Sequence, residues 1–161
     1  MTVSSSAPAP FAPSHDDSGL IAQPIGYWAN AAGRAVVQNI RAALGDLGLT
    51  QPAWWVLARL SAAPEGWDRA ELIAFLRYYP GPGDDLPADI DSLVARGLVS
   101  QDEDEHLLLT DAGAELYSRA AARQSELRQQ THEGIPDEEY ARALKVLQRM
   151  IYNVRGDAWH H

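Results

Sequence analysis

Residues 86–113 read LPADIDSLVARGLVSQDEDEHLLLTDAG. In the first third, Leu86, Ile90, Leu93 and Val94 recur at the three-and-four spacing of one buried helix face. Asp84 or Asp85 supplies the start, Pro87 is tolerated in the first turn, and Gly97 stops the helix. Leu98 to Ser100 and His106 to Leu109 then flank a polar tip, 101–105, as the two strands of a hairpin. Thr110 follows as an N-cap for another helix.

A helix, a glycine, a short apolar hairpin and a capped helix form the succession of a winged helix, and the flanks extend it. From Pro24 to Leu47, the side chains Ile25, Trp28, Ala32, Val36, Ile40, Ala43 and Leu47 make one helical stripe, which predicts a helix over 24–47. Thr50 caps a second helix that carries Trp54, Trp55, Val56, Leu57 and Leu60 and stops at Pro64-Glu65-Gly66. Asp68 and Glu71 stand in capping-box spacing before Leu72, Ile73, Leu76 and Tyr79, and Pro80-Gly81-Pro82-Gly83 ends that third helix. Beyond Thr110, a fifth helix through Leu116, Ala120 and Leu127 reaches about Glu133. After Gly134-Ile135-Pro136 a last helix shows Tyr140, Leu144, Leu147, Ile151 and Val154, stepping by four and three as in a coiled coil. The fold class is therefore mainly α with a small β-hairpin wing, the winged helix-turn-helix lobe occupying 50–110.

The totals narrow the chemistry. With 161 residues, 46% of them hydrophobic and 22% charged, the chain fits one domain plus a tail. No apolar run approaches the ~18 residues of a membrane span. The absence of cysteine rules out disulfides and thiolate sites and is compatible with the reducing cytoplasm where the protein is expected. Residues 1–20, rich in Ser, Ala, Pro and Asp, lack the basic start and apolar centre of a secretion signal, and their few apolar groups predict a disordered lead-in to a domain over 21–161. Between Ala62 and Thr110 three bases face eleven acids, so this segment carries -8 of the net -9.

Four stretches resemble the MarR family of bacterial regulators, its actinobacterial members in particular. They are Leu49-Thr50-Gln51-Pro52-Ala53-Trp54-Trp55-Val56-Leu57, Asp91-Ser92-Leu93-Val94-Ala95-Arg96-Gly97-Leu98-Val99, Leu109-Thr110-Asp111-Ala112-Gly113 and Ile135-Pro136-Asp137-Glu138-Glu139-Tyr140. Their order and spacing span roughly residues 24 to 154. The resemblance implies a homodimer whose first, fifth and sixth helices (24–47 and 111–154) interlock. Ile25, Val36, Leu116, Ala120, Tyr140, Leu144, Leu147, Ile151 and Val154 would face the partner. It further implies a transcriptional regulator whose two lobes meet two operator half-sites on double-stranded DNA. A small aromatic or phenolic ligand, bound between dimer layer and lobe, would release the DNA.

The residues themselves qualify that implication. At roughly 100° per residue, the helix after Asp85 points Ala88, Asp91, Ser92 and Ala95 outward, with Asp84 near its start. Only Ser92 is a usual donor to DNA and only Arg96 nearby is basic, while Gln101 and His106 bracket a wing tip of Asp102-Glu103-Asp104-Glu105. These seven, Ala88, Asp91, Ser92, Ala95, Arg96, Gln101 and His106, are the DNA-binding candidates. The family's wing usually carries an arginine, and this tip has none. Three alternatives therefore stand: solvated acids with DNA gripped from elsewhere, a winged-helix descendant without conventional DNA binding that serves a small molecule, a protein partner or catalysis, or DNA mimicry by the acidic wing.

Trp28 with Trp54 or Trp55 offers walls for a flat apolar pocket, and Tyr27, Asn30 and Arg34 offer polar handles; filling the core is the competing use of these aromatics. The five histidines, at 15, 106, 132, 160 and 161, show no metal-binding spacing. His132-Glu133 reads as a helix end, and His160-His161 receives no role. Pro80-Gly81-Pro82-Gly83 is a turn, because proline lacks the N–H donors of a phosphate loop. No cofactor, metal or enzymatic activity is expected.

Overall fold

The computed structural model describes residues 11–158, which leaves the start of the expected tail, and Trp159, His160 and His161, outside the described residues. The chain divides into two compact units, Met1–Ala35 and Val36–His161. That division falls further along than the expected boundary near residue 20. The described elements are α1 (Asp17–Ile21), α2 (Ile25–Gly45), α3 (Gln51–Ala62), β1 (Trp67–Asp68), α4 (Arg69–Leu76), α5 (Leu86–Ala95), β2 (Val99–Gln101), β3 (His106–Leu109), α6 (Asp111–Thr131) and α7 (Asp137–Asn153). Among the described residues no helix is long and apolar enough to cross a membrane.

In the first unit, α1 occupies sequence expected to be disordered. The Asp16 carboxylate accepts from the Gly19 N–H at 2.8 Å and the Ser18 hydroxyl at 2.9 Å, closing the first turn. Those two donors, the backbone one foremost, hold the Asp16 carboxyl below the usual aspartate range. A local cap thus orders five residues whose composition alone argues against order.

In the second unit the caps fall where the sequence places them. The Thr50 hydroxyl accepts from Ala53 N, the Asp68 carboxylate from Glu71 N, the Asp85 carboxylate from Ala88 N and the Thr110 hydroxyl from Gly113 N. Leu86, Ile90 and Leu93 turn inward from α5 and meet Leu44, Val56, Leu57, Leu60, Leu72, Leu76, Val99 and Leu107 in one core. Val94 only half-enters it.

The wing is larger than expected. The hairpin pairs Val99 with Leu109, Ser100 with Leu108 and Gln101 with Leu107. A third strand, β1, adds Trp67 opposite Leu107 and Asp68 opposite His106, giving the antiparallel order β1-β3-β2. Gly66 makes this pairing possible: its φ is +82°, and a Cβ there would run into the Leu107 carbonyl oxygen and the His106 ring.

Candidate nucleic-acid interface

The lobe is built from α3, α4, α5 and the three-stranded sheet, and α5 is its outward helix. Ala88, Asp91, Ser92 and Ala95 are exposed on α5, as the helical spacing requires. Asp84, expected near that surface, instead lies 7% exposed beneath it, accepting from Arg41 Nη2 and from Gly81 N, each at 2.8 Å. Arg41 also donates through Nε to Gln51 Oε1 at 3.1 Å. The Pro-Gly-Pro-Gly turn is thereby anchored to α2 and α3.

Three of the seven DNA-binding candidates make hydrogen bonds within the chain. Arg96 Nη1 donates to the Gly48 carbonyl at 2.8 Å, tying the end of α5 to the turn before α3. The His106 ring Nε2 lies 2.7 Å from the Glu65 carbonyl, across the turn that leads into β1. Gln101 Oε1 accepts from Arg69 Nη1 at 3.3 Å. Each side chain faces a backbone carbonyl or a guanidinium of its own chain, with Arg96 still exposed and Gln101 and His106 half-buried.

Arg69, which the sequence pattern did not single out, is the centre of the arrangement. It is only 15% exposed, and its Nη2 contacts the Asp91 carboxylate at 2.8 Å and donates to the Pro87 carbonyl at 3.3 Å. One guanidinium thus joins the start of α4, the first turn and outer face of α5, and the end of β2. The other lobe arginines are engaged too: Arg59 over the Phe75 ring with Nη2 on the Tyr79 hydroxyl, and Arg77 over the Tyr78 ring.

Six of the eleven lobe acids have comparable duties. Asp68 and Asp85 cap helices, Asp84 binds Arg41, and Asp91 binds Arg69. Asp89 accepts from the Thr50 hydroxyl at 2.6 Å, and Asp102 accepts from Asp104 N and His106 N to shape the wing tip. Much of the acidity is fold-building chemistry, although Glu103, Asp104 and Glu105 remain exposed at the tip.

The aromatic candidates divide. In the first unit Tyr27 meets Trp28 edge-on at 5.3 Å, and Trp28 lines an apolar groove with Phe11, Leu20 and Ile25; Asn30 and Arg34 are exposed. In the second unit Trp54 stacks on Tyr117 at 5.2 Å and Trp55 tilts against Tyr79 at 5.3 Å, both packed on the lobe core. A cavity of about 360 Å³ lies among α2, α6 and α7, lined by Asn39, Gln124, Arg128, Thr131, His132 and Tyr140 among others. Gln124 Nε2 is buried without a hydrogen-bond partner, and the His132 and Tyr140 rings meet at 4.4 Å.

No protein-family model matches the sequence, and no curated protein matches it either. Solved structures do. The Mycobacterium tuberculosis MarR family protein Rv2887, in complex with DNA, is 25% identical and covers 80% of this chain and 98% of its own, with a TM-score of 0.62. The chain has the winged-helix fold of the MarR regulators. A MarR-family transcriptional regulator from Silicibacter pomeroyi is 27% identical over 84% of this chain and 92% of its own, with a TM-score of 0.57. CouR from Rhodococcus jostii RHA1, bound to p-coumaroyl-CoA, is 25% identical over 81% and 93%, with a TM-score of 0.62.

Of the expected dimer contacts, two are corrected. Leu116 and Ala120 are buried in the lobe core, because the first half of α6 packs on α3 rather than presenting a free stripe. Ile25, Val36, Leu144 and Val154 are exposed, and Tyr140, Leu147 and Ile151 are half-buried.

Proposed function

We propose that this protein is a DNA-binding transcriptional regulator acting in the cytoplasm as a homodimer responsive to a small aromatic ligand, and that it is a binder rather than an enzyme. The observation that carries this reading is the lobe: α4, the anchored turn, α5 with its free outer face, and the wing have the fold of a neighbour solved on DNA. Dimerisation is supported by α7, none of whose residues is buried although Leu144, Leu147 and Ile151 form an apolar stripe along it. Ligand response is supported by the CouR complex with p-coumaroyl-CoA and by the cavity donors at Gln124 and Arg128.

The test is fluorescence anisotropy on the region upstream of the protein's own gene. Specific binding is expected at low salt. Because all four arginines between residues 50 and 110 are engaged within the chain, few counterions are released. The slope of log K against log salt should be shallower than about -5. Failure to bind at low salt would remove the reading.

The ligand arm has its own measurement. Salicylate, an aromatic carboxylate, should raise the melting temperature of the protein, and Arg128→Ala should abolish the rise. An equal rise in the variant would place the ligand elsewhere.

A further inference from the structure

The reading face of α5 holds a combination that points to one base. Ala88, Asp91 and Ala95 lie on the same exposed side, the alanines about one turn to either side of the aspartate. No long cationic donor joins them, since Arg96 is bound to the Gly48 carbonyl. The charged group presented there is the Asp91 carboxylate, 70% exposed yet fixed by Arg69 at 2.8 Å.

A carboxylate can only accept hydrogen bonds. In the major groove the donors are the amino groups of cytosine and adenine; adenine sets the N7 lone pair beside its amino group, which repels the second carboxylate oxygen. Guanine and thymine present acceptors at that edge. Pairing with Arg69 offsets the repulsion from phosphates that a lone carboxylate would meet, because the pair is neutral. The alanine methyls suit the methyl groups of neighbouring thymines.

We propose that Asp91 reads a cytosine in the major groove of each operator half-site, accepting from its amino group, with Arg69 as the residue that positions the carboxylate. This rests on the DNA-binding reading above. It assigns base specificity to an acid in the segment whose net charge, taken alone, argues against DNA.

The experiment selects binding sites from random duplex DNA at about 50 mM salt with the full-length parent chain and with Asp91→Asn, Asp91→Ala and Asp91→Glu. The parent should enrich cytosine at one position per half-site by roughly tenfold over other bases. Asp91→Asn should switch that position to adenine, whose N6 and N7 suit an amide, and Asp91→Ala should lose preference there alone. Asp91→Glu should retain cytosine at reduced enrichment. A parent that enriches operators whose base preferences are the same in all three variants would overturn the role of Asp91. A parent that enriches no sequence would overturn the DNA-binding reading and this inference with it. Thermal melts of the variants, expected near the parent's because Asp91 is 70% exposed and Arg69 keeps its bonds to Pro87 and Gln101, separate lost recognition from lost folding.

Discussion

A Leu144→Glu protein should scatter light as a 17.6 kDa monomer at concentrations where the parent, on the homodimer proposed above, should run at twice that mass. Leu144 is 43% exposed in the single chain, so the substitution costs the isolated fold little. Its cost falls on association. A two-fold interface repeats every change, so two leucines lose their burial and two carboxylates lose their water. At roughly 2 kcal/mol per copy, the dissociation constant rises about a thousandfold. Val146, also outward at 48% exposed but on another side of α7, offers a control. If Leu144→Glu leaves the dimer mass unchanged, the Tyr140-Leu144-Leu147-Ile151 stripe is not the seam.

Gly113→Val should weaken folding itself. Gly113 is buried at the third position of α6, its N–H on the Thr110 hydroxyl at 3.1 Å. The Leu98 carbonyl oxygen lies against its Cα, where a Cβ would overlap both that oxygen and the Leu109 side chain. The Thr110 hydroxyl donates toward the Gly97 and Leu98 carbonyls, so the wing's entry and exit are clamped at this point. A larger residue must push α6 off the sheet or break the clamp. The expected loss is about 3 kcal/mol, a large share of the roughly 5–15 kcal/mol that stabilises a typical domain. Urea melts read it directly, and the exposed neighbour Ala112→Val should stay within about 0.5 kcal/mol of the parent. Equal midpoints for Gly113→Val and the parent would contradict the close approach.

What was legible in the sequence was local. Thr50, Asp68, Asp85 and Thr110 are caps because a short polar side chain before an apolar stripe has few other uses, and all four cap. The inward face of α5 followed from its period. What stayed hidden was non-local: Arg41 with Asp84, Thr50 with Asp89 and Arg69 with Asp91 are 43, 39 and 22 residues apart. Spacing along a chain carries no record of such partners. The two-residue strand β1 is too short for any alternation to announce it. Leu116 and Ala120 show a further limit, since a stripe reveals that a helix face is buried but not against what. Arg96 and His106 were read by charge type, which could not reveal their hydrogen bonds to the Gly48 and Glu65 carbonyls.

The guanidinium of Arg69 has a mechanical consequence. Because it grips α5 at Pro87 and Asp91 and the wing at Gln101, helix and wing behave as one lever with no free joint between them. A signal arriving at either is transmitted to both. In the ligand-responsive homodimer proposed above, such a lobe would be switched by being swung as a whole, and the quantity under control would be the distance between two reading heads rather than the shape of either one.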